Sequence, residues 1–125
     1  MKALFERGSH FIHCRRLLGK YIAAVVSSGS GRDEAVLDYL KLCSHINGAQ
    51  YCGGVSSAVP VSEQKLKEAY QLGSKFISDI KQNKQYPQQI ETIERYKQYF
   101  KKIMQMRQKD WSEEYQCWLD KGWLD

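Results

Sequence analysis

Six consecutive residues carry the pattern best suited to holding a ligand: Ser27, Ser28, Gly29, Ser30, Gly31 and Arg32. Small side chains let a backbone approach a bound group closely, and glycine reaches positive φ without steric cost. Arg32 adds a cation where the next helix begins. A hydrolytic role for Ser27 or Ser28 is not expected, because there is no G-x-S-x-G pattern and no evident His/Asp partner. His10 and His13 lie three apart and would share a helix face. They lack a third metal ligand, with Cys14 expected on another face, and read as surface or interface histidines. Arg15 and Arg16 could bind a phosphate, but they sit where a helix enters a strand and read better as positioning residues at a subunit contact. Cys14, Cys43, Cys52 and Cys117 are scattered without a CxxC, as ordinary reduced thiols are. The expected ligand-binding residues are therefore Ser27 to Arg32, with no catalytic residue and no metal ligand assigned.

The elements that must position this loop flank it directly. Tyr21 to Val26 is a short apolar run rich in β-branched residues, the pattern of a strand buried on both faces of a parallel sheet. Asp33 and Glu34 then open an amphipathic helix, Glu34 to Ile46, with acids where the helix dipole favours them. Val36, Leu37, Leu40, Cys43 and Ile46 form its stripe, and Asn47-Gly48 ends it. A second strand, Ala49 to Val55, follows at once, with Gly53 and Gly54 predicting a bulge or a close approach. Strand, helix and strand with short connections require a parallel, right-handed crossover. In open α/β sheets, ligands bind outside the carboxyl ends of the strands, where Ser27 to Arg32 would lie.

Further elements follow on either side. The apolar spacing from Met1 to Leu18 predicts an amphipathic helix, weakened by Gly8 and Ser9. Ser62 caps a helix from Glu63 to Gln82, whose Leu66, Ala69, Tyr70, Gly73, Phe76, Ile77 and Ile80 would cover one side of a sheet. Tyr21, Tyr39 and Tyr51 read as packing residues. Pro87 opens another helix reaching Gln108. Asp110 and Glu113 form a capping box for a last short helix. Trp111, Trp118 and Trp123 argue that this tail docks, on its own body or on a partner. Two parallel strands leave both sheet edges open, which is unusual for a stable sheet.

The 125 residues suit one domain of ordinary size, and a 42% hydrophobic fraction excludes overall disorder. No apolar run approaches the roughly 20 residues that span a bilayer. Met1 to Phe5 has no apolar signal-peptide core, so a cytoplasmic location is expected. The net charge of +5 lies mostly on helices after Ser62 and reads as a solvated face rather than a nucleic-acid site.

The order helix, K-Y-I-A-A-V-V-S-S-G-S-G, helix, A-Q-Y-C-G-G-V, helix resembles the second half of flavodoxin-like, FMN-dependent NAD(P)H oxidoreductases. This group includes the multimeric flavodoxins and the iron–sulfur flavoproteins. M-K-A-L-F-E-R at Met1 to Arg7 is similar to the family's helix after the third strand. Y-P-Q-Q at Tyr86 to Gln89 and D-W-S-E-E-Y-Q-C-W-L-D-K-G-W-L from Asp110 to Leu124 resemble a tail of one clostridial-type branch. The resemblance implies an α/β, doubly wound parallel sheet, present as an incomplete half with two parallel strands. It assigns residues 1–83 to the flavodoxin-like half and 84–125 to a helical extension. It places Ser27 to Arg32 beside the isoalloxazine ring, where backbone N–H groups would bond its polar edge and tune its potential. Nothing corresponds to the family's phosphate-binding loop, its aromatic flavin-packing loop or its cluster cysteines. The implied activity is electron transfer from NAD(P)H through FMN to a small acceptor. The implied partners are FMN, NAD(P)H and a second copy or a completing chain. The alternative is a non-catalytic interaction module that completes its sheet with a partner chain.

Overall fold

The computed structural model describes Ala3 and residues 7–125. Among these residues it is a mixed α/β chain with five helices and one sheet of two parallel strands. In chain order the elements are α1 (Ser9–His13), β1 (Tyr21–Ser28), α2 (Asp33–Ile46), β2 (Gln50–Ala58), α3 (Glu63–Lys81), α4 (Pro87–Met106) and α5 (Ser112–Asp120). Both strands run past their apolar cores into serines, because the backbone ladder continues whatever the side chain. Of the expected first helix, α1 is described and Ala3 and Arg7 are also helical, while Met1, Lys2, Leu4, Phe5 and Glu6 lie outside the described residues. After α1 the chain turns at Arg15, whose φ is 47°, and at Gly19, whose φ is 75°. No helix among the described residues is long and apolar enough to cross a membrane.

The strand register runs from Tyr21 opposite Gln50 to Ser28 opposite Ala58, with a shift that pairs Ile22 with Tyr51 but Ala23 with Gly53. Cys52 is thus the extra residue of a bulge, and Gly53 beside it adopts φ of 142°, which a side chain would resist. A Cβ on Gly53 would meet Leu72 of α3 at 3.1 Å, and one on Gly54 would meet Leu37 of α2 at 2.7 Å. Successive strand residues face opposite sides. Consequently α2 and α3 cover opposite faces of the sheet, each in close contact with its glycine.

The wide apolar face expected of α3 divides in the structure. Ala69 and Phe76 are half-buried, but Leu66, Tyr70, Ile77 and Ile80 are exposed, and the buried Leu72 lies outside the expected face. Two strands are narrower than the helix's apolar sector, so only part of that sector finds cover. At its far end the buried Asp79 carboxylate receives Lys75 Nζ at 2.6 Å and the Tyr86 hydroxyl. These bonds, Lys75 first, hold its carboxyl down to about 2.

The outer edge of β2 is closed at Tyr51 by a side chain. Tyr51 N–H donates to Gln89 Oε1 at 2.7 Å, and Gln89 Nε2 donates to Tyr51 O at 3.0 Å. The glutamine amide thereby reproduces the pair of bonds a neighbouring strand would make. His45 Nε2 meets the same Oε1 at 3.1 Å, and Tyr86 N–H donates to Gln50 Oε1 at 2.8 Å.

A second apolar cluster joins the chain's two ends: Phe100, Met104 and Trp118, with Ile12, Ile46, Ile103, Trp111, Tyr115, Trp123 and Leu124 around them. Trp118 Nε1 donates to His13 O at 2.7 Å, and Lys121 Nζ donates to Cys14 O at 3.0 Å. The tryptophan tail therefore docks on its own body. The expected capping box does not form. Asp110 pairs instead with Arg107 at 3.1 Å, and Trp111, drawn inward to stack on His13 at 4.2 Å, precedes α5 without a side-chain cap.

Burial lowers the imidazole pKa of both His13 and His45, opposed by Glu114 and by Gln89 respectively. The unfolded chain, with histidines near 6.5, then takes up protons first. The stability from these neutral imidazoles is complete above that value and is lost as pH falls through the lower folded values. Urea unfolding is expected at a lower midpoint at pH 5.5 than at pH 7.5. Equal midpoints would overturn the assignment of neutral, buried histidines.

Candidate functional site

The candidate loop leaves the sheet at the carboxyl end of β1. Ser27 and Ser28 are the last two strand residues, Gly29 to Gly31 make the bend, and Arg32 precedes α2. Ser28 is committed within the loop. Its Oγ accepts Gly31 N–H at 3.1 Å and donates to Asp33 Oδ1 at 3.1 Å, while its carbonyl accepts Val59 N–H at 2.9 Å. Gly31 needs its missing side chain, because its φ is 75°. Ser27, Gly29, Ser30, Gly31 and Arg32 are exposed. Among the described residues, the N–H groups of Gly29, Ser30 and Arg32 meet no acceptor.

Asp33 is the buried anchor beneath this bend. Its own backbone N–H holds the carboxyl below the usual range, helped by the Ser56 and Ser28 hydroxyls and by the charge of Lys65, against burial. The ends of both strands and the starts of α2 and α3 therefore meet through one polar cluster. Lys65 is held in turn by Glu68 at 2.8 Å. Sequence reading missed Ser56 and Lys65 altogether and gave Asp33 only a helix-start role. The available signal was the spacing of Ser28 and Asp33, which suits a hydroxyl bridging a strand end to a helix start.

The other candidates resolve differently. Cys14 was expected to lie away from the histidines, yet its thiol is 3.6 Å from His10 Nε2, because residues four apart share a helix face. Glu114 Oε1 approaches Nδ1 of both His10 and His13, at 3.4 and 3.8 Å. Burial, with Cys117 adding to it, pushes the Cys14 thiol up to about 12, the opposite of an activated nucleophile. Among the described residues no three His, Cys, Asp or Glu side chains form a group that could hold a metal ion. Arg15 is buried and donates from Nη2 to Ile93 O at 2.9 Å, so it is no phosphate ligand, whereas Arg16 is exposed.

Fold and site together define an α/β chain with a parallel strand–helix–strand unit and a small-residue loop at the carboxyl end of its first strand. Comparison with models of protein families, with curated proteins and with solved structures finds no match to this chain.

Proposed function

We propose that this chain is half of a flavodoxin-like, FMN-dependent NAD(P)H oxidoreductase, with Ser27 to Arg32 lying along the polar edge of the flavin ring. One observation carries this reading. The loop combines exposed glycines with N–H groups that meet no acceptor among the described residues, at the carboxyl end of a parallel strand. Ring oxygens and nitrogens need such donors, and open α/β sheets bind their ligands at this end. The residues fit the ring edge. Gly29, Ser30 and Arg32 would donate backbone bonds, and the exposed Arg32 guanidinium would balance the negative charge of reduced flavin. Ser28 and Asp33 do not face the ligand in this reading; they fix the bend from below. Bound FMN would supply the redox chemistry, accepting a hydride from NAD(P)H and passing electrons to a small acceptor. The ribityl phosphate is assigned to the polypeptide that completes the sheet.

Titrating FMN with the purified chain and following flavin fluorescence tests the reading. Saturable quenching at low micromolar protein is expected. Gly31→Val, which forces a branched side chain into φ of 75°, should weaken it about tenfold. No quenching by the unaltered chain would sink the proposal. The second reading, a non-catalytic interaction module, is favoured by a different observation, the outer edge of β1, to which no strand pairs among the described residues.

A further inference from the structure

Two of the four thiols meet where the chain's two ends pack together. Glu114 Oε1 of α5 approaches Nδ1 of His10 and of His13, and Lys121 Nζ donates to Cys14 O at 3.0 Å. Cys117 lies between them, three residues after Glu114 and four before Lys121, so all three share one face of α5. That face runs along α1 and the residue that follows it. Trp118, bonded through Nε1 to His13 O at 2.7 Å, fixes the same turn. Cys117 is thereby set against Cys14, whose thiol it meets as a hydrogen-bonding partner. Cys43 and Cys52 stand apart, on α2 and β2.

The two thiols differ in access. Cys14 is fully buried, at 0% exposure. Cys117 is half-buried and lines an open groove of about 470 Å³ with His10, Arg16, Gln116 and Lys121. A small reagent entering this groove meets Cys117 first.

We propose that Cys14 and Cys117 form a reversible disulfide that fastens α5 to the end of α1, with a low-molecular-weight disulfide of the glutathione type as oxidant. The order of steps follows from access. The Cys117 thiolate attacks one sulfur of the small disulfide, whose S–S bond breaks and releases one thiolate, leaving a mixed disulfide on Cys117. Cys14 then gives its proton to His10 Nε2, 3.6 Å away, and its sulfur attacks that of Cys117. The Glu114 carboxylate accepts and does not donate, so it favours a proton on His10 Nδ1 and leaves Nε2 free to take one. The second small thiolate departs as the new S–S bond forms. Two cysteine thiols are oxidised to one disulfide, the small disulfide is reduced to two thiols, and the two cysteine protons end on those thiols. Burial keeps Cys14 protonated until this step, and a thiol of high basicity is the stronger nucleophile once its proton has gone. The disulfide stands on α1 and α5 alone, so it and the flavin proposal can fail independently.

Incubating the full chain with oxidised glutathione, trapping free thiols by alkylation and mapping peptides by mass spectrometry tests the proposal. The expected product has lost two hydrogens per chain, carries one linked peptide pair joining Cys14 to Cys117, and reverts under dithiothreitol. Early samples should carry glutathione on Cys117 and none on Cys14. The bond closes a loop over most of the chain, so oxidation should raise the urea midpoint by about 1–2 M. Cys117→Ser, at the half-buried site, should keep the circular dichroism spectrum of the reduced chain and lose both the linked pair and the rise. His10→Gln should resolve the mixed disulfide at least about tenfold more slowly. No linked pair, a pair through Cys43 or Cys52 in its place, glutathione on Cys14, or a urea midpoint indifferent to oxidation would each overturn the proposal. Resolution at an unchanged rate in His10→Gln would overturn the proton path.

Discussion

Trp118→Ala is expected to destabilise the chain by about 4 kcal/mol, the cost of removing a fully buried tryptophan from a packed core. Domains of ordinary stability have about 5–15 kcal/mol in total, so the variant should be substantially unfolded at mild urea concentrations. The size of the effect follows from what this side chain joins. It packs with Phe100 and Met104 of α4, stands edge-on to Trp123 at 5.3 Å, and bonds the carbonyl of His13. Trp118→Phe separates the contributions. It keeps an aromatic ring but strips the N–H from the half-buried His13 carbonyl, at a cost of about 1–2 kcal/mol from the lost bond, plus a smaller packing loss. Urea unfolding followed by circular dichroism reads both. A loss below about 1 kcal/mol for the alanine variant would mean that α5 is not part of the cooperative fold.

Gln89→Leu should cost about 3 kcal/mol although the glutamine is only half-buried. The substitution preserves bulk and removes three bonds at once, leaving Tyr51 N–H, Tyr51 O and His45 Nε2 without their partner. Hydrogen exchange localises the effect. The Tyr51 amide should exchange at least about a hundredfold faster, while amides in the centre of α2 change only as global stability does. Gln89→Glu should behave differently. It keeps an acceptor for Tyr51 N–H and His45, and its charge favours the imidazolium, so the loss of stability between pH 7.5 and 5.5 should shrink. An unchanged Tyr51 exchange rate in Gln89→Leu would show that the glutamine does not close this edge.

The legible part of the fold was the part whose residues are neighbours in sequence. The run from Tyr21 to Val26, the small residues after it, and Asn47-Gly48 at the end of α2 locate the strand–helix–strand unit, since each signal is local. Contacts between distant residues were not legible. A glutamine 38 positions from Tyr51 reads as a surface residue until the turn before α4 brings it to β2. The bond of Trp118 to His13 spans 105 positions and had no local signal beyond the crowding of tryptophans in the tail. Periodicity placed the apolar sector of α3 off centre and left out Leu72, the residue that is buried against the sheet, because it counts side chains and not the strands available to cover them. The candidate loop was legible as Ser27 to Arg32. Its anchor was not, because Ser56 and Lys65 reach Asp33 only through the fold.

The glutamine that closes β2 has a further consequence. In the language of polymer chemistry, a strand-edged protein with two reactive ends is a bifunctional monomer, and edge-to-edge addition of such units has no natural stop. Here Gln89 occupies one end at Tyr51, where an added strand would have to displace it. A chain that adds to β1 ends the sheet only if its own far edge is blocked in the same way. Gln89 thus acts as a chain stopper, and its loss would turn a self-limiting association into growth by addition.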